Sequence, residues 1–498
     1  MSKESAWYEG RPIEVSEVLP GEDARHARLR KNARYLLPLS LLLGAVYALC
    51  FVRADYIGLN GTVFALALCA ATRLALRKIG LEDRRRDIFW TCAIGLLGLT
   101  LVWTANEDTQ SVSILGIVLS EMLWIMSASR DVLSQSFEQA IAGGFRLFGR
   151  TFSHLTEPFV HLFALRKGKK GSGRYVLLGL CIAFPLAWLV LALLMSADAA
   201  FSELVKSTFG SAGLPDALRT AVKAVLWALV IAVFFYAALC AQCDRGEGEE
   251  KPVRRAKSLV AVTFTAVLAV IYAVFCAVQI TVLFAGNVSA LPEGMTYAEY
   301  AREGFFQLLF VSGINVVLIL FVPRRFRMSG ALRWILVFLS ACTYLMEVSS
   351  AMRMMLYVNA YGLTYLRLLV LWFLLLLAVV LAGAVYTLFR EKFRLFRFTF
   401  LVCLSLWLVF AFARPDRIAA AYDLKYSENR AGAINYVWDS SFDAVPALEP
   451  YFSEINEDNL DSFLTNAVPR RMEYGGVRCF NFSAWQAART AEEYVNGK

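Results

Sequence analysis

Two stretches, Tyr175–Ala197 and Gly362–Phe389, run almost without a charged side chain. Each is as long as the ~20 residues that cross a bilayer as a helix. Such runs leave no polar face for water, and a helix that is apolar all round must be buried in protein or lipid. The rest of the chain repeats the pattern, with 58% apolar and 18% charged residues. Ordinary soluble domains have roughly 45–50% and about 25%. A mean hydropathy of +0.53 excludes a soluble enzyme, a disordered chain and a disulfide-stapled secreted module.

Eleven segments read as spans: 35–52, 57–76, 88–104, 111–128, 175–197, 218–241, 259–285, 304–322, 331–352, 362–389 and 397–413. They are helices, because lipid cannot satisfy open backbone groups and a barrel needs weak ten-residue alternation instead of solid apolar blocks. The expected fold is an all-α polytopic transmembrane bundle with a small α-helical extracytoplasmic domain at the C-terminus. Of the prolines, Pro38 and Pro185 fall within spans, where a kink is the ordinary consequence.

Loop charge orients the bundle. Lys3, Arg11, Arg25, Arg28, Arg30, Lys31 and Arg34 precede the first span, and Arg77, Lys78 and Arg84 to Arg86 follow the second. The alternate loops hold Arg53 alone, nothing basic in Thr104–Gln110, then Lys206, Arg302 and Arg353. Lys and Arg concentrate on the cytoplasmic side, so the N-terminus reads as inside and the C-terminus as outside. The chain divides into a basic leader (1–34), spans one to four (35–128), a cytoplasmic loop (129–174), spans five to eleven (175–413) and an outer tail (414–498). The net charge of +9 follows from this distribution and calls for no nucleic-acid partner. The tail itself is acidic, with nine Lys/Arg against 13 Asp/Glu.

In the cytoplasmic loop, Phe145, Phe148, Phe152, Leu155, Phe159 and Leu162 recur at helical spacing. This is an amphipathic helix in the interface plane, bent at Pro158. Arg166, Lys167, Lys169, Lys170 and Arg174 come next and suit anionic lipid headgroups. The segment reads either as a lipid-sensing helix or as a connector anchored by charge. The tail reads as short helices over Asp416–Tyr426, Asn459–Ala467 and Phe482–Val495, the last capped by Asn481 or Ser483.

Ionisable groups inside a span are costly and mark candidate sites. Glu121 is the deepest, in span four. Glu347 and Arg367 lie at matched depth near the outer ends of spans nine and ten, which suggests an ion pair. With Arg353, Tyr357, Tyr361, Thr364, Gln279 and Gln307 they outline an outer polar vestibule among spans seven to ten, or a set of contacts that only locks the helices. Gly362 suits a left-handed helix end and Thr364 a cap. No catalytic or cofactor residues are evident. Cys240 and Cys243 form a lone CxxC without nearby ligands, and a total of three histidines (His26, His154 and His161) argues against a metal centre.

Thr296–Phe306 (TYAEYAREGFF), Leu356–Arg367 (LYVNAYGLTYLR) and Arg414–Leu424 (RPDRIAAAYDL), with Asp443–Leu448 and Ala484–Arg489, resemble a bacterial family of polytopic membrane proteins. That family is known as domain of unknown function 4173 and has a related family, 4153. Its third motif usually starts Asn-Pro-Asp, whereas Arg414 stands here. The resemblance implies a bacterial cytoplasmic-membrane protein and a shared architecture, and brings no activity. The reading is a non-enzymatic multi-pass protein, transporter-like or sensory, whose partners are the bilayer and its anionic headgroups. A membrane-embedded enzyme for a lipid or lipid-linked substrate, or an accessory subunit of an envelope complex, is the alternative.

Overall fold

The structure is a computed structural model. It describes residues 5–8, 11–14, 24–165, 216–243, 256–284, 297–390, 392–427, 430–455, 460–461, 463–464 and 476–496, with isolated positions between 179 and 203. Most of the segment 175–197, the cluster Arg166 to Arg174 and most of the helix expected over Asn459–Ala467 lie outside the described residues. Ten described helices are long and apolar enough to cross a membrane. The first four are α2 (Ala33–Phe51), α3 (Leu59–Ile79), α4 (Arg84–Trp103) and α5 (Glu107–Ser127), preceded by the short α1 (Ala24–Lys31). Next come α6 (Phe137–Ser153) and α7 (Glu157–Leu165), which are too short or too polar to span. The remaining spans are α8 (Asp216–Cys243), α9 (Ser258–Phe284), α10 (Tyr297–Arg325), α11 (Gly330–Tyr361), α12 (Tyr365–Phe389) and α13 (Leu395–Phe412). The tail holds α14 (Pro415–Tyr426), α15 (Arg430–Asp439) and α16 (Phe482–Asn496). A two-stranded hairpin pairs Ser5–Tyr8 with Arg11–Glu14, an element the leader's composition did not announce.

Helices α2 to α5 and α8 share one core around the fully buried Trp90, Trp124 and Tyr236. Helices α9 to α12 share another, built on Leu332, Leu336, Ile319 and Leu381. The link is α13, whose Trp407 and Phe410 join the first core and whose Leu395 joins the second. Packing in lipid favours small residues where backbones approach, and Gly44 of α2 meets that need. A Cβ there would lie 2.0 Å from the Ala228 carbonyl oxygen of α8. Large apolar side chains such as Leu259, Val270 and Phe310 remain exposed on the outside of the bundle, as lipid requires. Helix α10 runs one turn past its expected end and takes in Pro323, a third intraspan proline.

Among the described residues, the basic-rich and basic-poor connections gather at opposite ends. At the basic end Arg86 donates to the Ser127 and Leu81 carbonyls, Arg325 pairs with Glu138, and Arg394 approaches Asp131. There α6 starts with a capping box between Ser136 and Gln139. It buries Ala140, Gly144 and Leu147 and exposes Phe145, Phe148 and Phe152. The bend comes at His154–Thr156, where α6 stops before α7 starts, and Pro158 sits within the first turn of α7, a position that tolerates proline.

Candidate functional site

The tail docks on the basic-poor end through side chains that replace lost helix-end partners. Helix ends leave backbone groups unsatisfied, and here tail residues take them up. Asn481 donates to the carbonyls of Leu101 and Thr104 at 3.2 and 2.8 Å, while its own Oδ1 accepts from the amides of Ser483 and Ala484 and caps α16. Ser483 donates to the Trp103 carbonyl at 3.0 Å. Asp443 accepts from the Thr104 hydroxyl and from the Ala105 amide at 3.1 Å. Burial pushes the Asp443 carboxyl above its ordinary range, with the donors on Ser483, Thr104 and Ala105 pulling the other way.

Asp416 is the centre of the junction. Asn106 donates to its Oδ2 at 2.8 Å, Tyr436 to its Oδ1 at 3.0 Å, and the Ser441 hydroxyl to Oδ2 at 2.5 Å. The same Tyr436 oxygen accepts the Tyr365 amide at 3.0 Å, so one carboxylate ties α14, α15 and the α4–α5 turn to the start of α12. Burial raises the Tyr436 hydroxyl pKa, and the Asp416 charge adds to the rise.

A cleft of about 1120 Å³ opens beside this junction, between the ends of α2 to α5 and the tail. Five acids line it: Asp55, Glu107, Asp108, Asp416 and Asp439. Tyr56, Tyr365, Tyr436, Phe442, Phe480 and Trp485 supply aromatic wall, and among the described lining residues there is no Lys, Arg or His. Beneath it, described polar side chains bond to one another. Thr109 donates to the Tyr365 hydroxyl at 3.2 Å, and below it Ser113 joins Thr100 and the Trp407 indole at 2.8 and 3.0 Å. Gln110 bridges the carbonyls of Ile57, Leu101 and Thr104. None of these residues stands out in sequence, since each is an ordinary polar residue at a helix end. The acidity of the tail was the available signal.

Of the vestibule expected among spans seven to ten, the described residues decide one contact, that between Glu347 and Arg367. Glu347 is 5% exposed, and among the described residues neither of its carboxylate oxygens has a hydrogen-bond partner. Arg367 faces away from it, donates to the carbonyls of Tyr361 and Gly362, and lies 4.2 Å over the Tyr357 ring. The suggested ion pair is therefore corrected: equal depth brought the two residues to one level, but not to one azimuth. Nearby, Ser349 donates to Gln279 at 2.9 Å, and Tyr272, Asn315 and Thr343 form a buried chain at 2.8 and 2.9 Å. Gln307 is exposed, Arg353 is half-buried and Tyr361 is exposed. Thr364 stands at the cap of α12 without a side-chain cap bond. Glu121 accepts from the Thr72 hydroxyl through Oε1, while Oε2 has no partner among the described residues.

A family model described as "Domain of unknown function (DUF4153)" matches residues 91–451. No curated protein and no solved structure matches the chain.

Proposed function

The chain belongs to the DUF4153 family of unknown function, which supplies architecture without an activity, so we propose a function from the geometry: a non-enzymatic sensor of the bacterial cytoplasmic membrane that binds an organic cation on its outer face. The protein is an integral multi-pass membrane protein. The cytoplasmic assignment of the basic end, and with it an inside N-terminus and an outside C-terminus, rests on the loop charges.

One observation carries the reading: the cleft combines five carboxylates and six aromatic rings, with no basic side chain among its described lining residues. Carboxylates attract an ammonium group from a distance, and aromatic faces hold it at short range. The volume suits an organic molecule, since ligand clefts run to roughly 300–1,000 Å³, and is far larger than a bare ion needs. The packed floor of Tyr365, Trp407 and Ser113 supports binding without passage. Because the walls come from both the tail and the span ends, occupancy would change how firmly they hold one another, which favours a sensory role over transport.

The test uses full-length protein in zwitterionic nanodiscs with spermidine as probe. Saturable binding, weakened by salt and at least tenfold weaker in the Glu107→Gln/Asp439→Asn double variant, is the expected result. Absence of saturable binding, or equal affinity in the double variant, overturns the reading.

A further inference from the structure

All the histidines of this chain, His26, His154 and His161, meet at the basic end of the bundle around one carboxylate. Glu157 begins α7. Its Oε2 lies 3.2 Å from His161 Nε2 one turn on, and its Oε1 lies 3.9 Å from His154 Nδ1. These contacts are local in sequence and alone would mean little. His26 is not local: it comes from α1, and its ring lies 5.9 Å from that of His161 and 6.0 Å from that of His154. One ligand atom from each of His26, Glu157 and His161 fits within 4.8 Å of the others.

We infer that His26, His161 and Glu157 form a site for a transition-metal dication of the zinc class, which staples α1 to α7. Two imidazoles and a carboxylate are a donor set that Zn²⁺ takes at about 2.0–2.1 Å, with a further position left for water or for His154. Ligand atoms around such an ion stand about 3.4 Å apart in a tetrahedron, so the Glu157–His161 edge is already closed and only the His26 edge has to contract. A second observation points the same way. His161 is buried, and its Nδ1 lies 2.7 Å from the hydroxyl of Tyr236 on α8. A ligating imidazole needs its far nitrogen held in this manner, because that bond fixes the ring and leaves the other nitrogen's lone pair for the ion. The Tyr236 hydroxyl can donate to Nδ1 when the site is empty and accept from Nδ1–H when it is filled. Arg25, the neighbouring cation on α1, donates to Ser129 Oγ. The expectation that three histidines are too few for a metal centre is thereby revised: three suffice when the fold collects them.

The experiment adds Co²⁺ and then Zn²⁺ to chelator-treated full-length protein in nanodiscs and follows visible absorption and calorimetric heat. One equivalent of Co²⁺ giving tetrahedral-type absorption, displaced by Zn²⁺, is expected. His26→Gln and Glu157→Gln should each weaken Zn²⁺ binding at least tenfold while melting like wild type without metal, and Tyr236→Phe should weaken it about tenfold. If one of the ligand variants does not fold, the other decides. Failure of the wild-type protein to take up metal, or equal affinity in the folded ligand variants, overturns the site and leaves the cluster a hydrogen-bonded helix junction.

Discussion

Gly362 shows how one residue position can be fixed twice over. It ends α11 with φ of +80° and ψ of 177°, a region essentially confined to glycine that costs an L-residue about 1–3 kcal/mol. A Cβ there would also lie 2.7–2.9 Å from the Asp423 carboxylate. That carboxylate cannot simply retreat, because it accepts the Leu363 amide at 2.6 Å. Gly362→Ala should therefore lower the thermal midpoint by more than the backbone cost alone, whereas Asp423→Ala/Gly362→Ala should recover part of the difference. Equal losses in the single and double variants would mean that the contact is not the constraint. Arg414 is a non-glycine positive-φ residue at the junction, with φ of 54°. The resemblance leads one to expect Asn there, a residue that tolerates this backbone. Arg414 instead lies 4.4 Å over the Trp103 ring and 4.8 Å over Phe482, and it donates to Gln486. Cation–π contact and the bond to Gln486 offset a backbone the side chain does not favour. The helix stop at Gly362 was legible in sequence, because glycine at a span end has few other uses; the left-handed form expected there is replaced by an extended one with ψ of 177°. The Asp423 contact was not, since it joins residues 60 positions apart through a tail whose course the sequence does not give.

At the scale of elements, spans were legible and azimuths were not. Apolar length finds a helix, and counting residues from its end gives depth at ~1.5 Å each. Each residue also turns the side chain by about 100°, so a small error in neighbour orientation separates Glu347 from Arg367. The tail divides in the same way. Helices α14 and α16 carry strong end signals, Pro415 at the first position and Asn481 as cap, and both were expected. Helix α15 has weak amphipathicity and was missed; it gains its place by packing Ala433 and Val437 against Ala420 and Leu424. The docking of this tail should depend on pH. Burial raises the Asp443 and Asp423 carboxyls above their ordinary range. Where a folded-state pKa exceeds the unfolded one, the folded state binds more protons, and stability falls as pH rises through that window. Amide exchange protection in α16 should therefore increase as pH is lowered toward the ordinary carboxylate range, after correction for intrinsic exchange. Asp443→Asn should flatten the response. Protection that grows with rising pH would show that the hydrogen bonds to Asp443 outweigh its burial.

Among the described residues, the bundle has two large helix cores joined by α13, with an acidic cleft at one end and a histidine–glutamate cluster at the other. The sequence made the ends distinguishable through Lys and Arg, but it could not show what each end assembles. Asp55, Asn106, Asp416 and Asp439 belong to separate segments, as do His26, Glu157 and Tyr236, and only packing brings them together. Which end faces the cytoplasm decides whether the cleft meets external solutes, so sidedness is the property on which the functional reading depends. Single cysteines in a background with all ten native cysteines replaced provide the measurement. Glu107→Cys and Lys425→Cys, both at exposed positions on the cleft end, should react with an impermeant thiol reagent in intact cells. Arg84→Cys and Arg390→Cys, exposed at the opposite end, should react only after the membrane is opened. The reverse pattern would turn the cleft toward the cytoplasm and replace an external organic cation with an internal one. Labelling of Glu107→Cys without Lys425→Cys would separate the tail from the span ends, against the Asp416–Asn106 and Asp443–Thr104 bonds that join them.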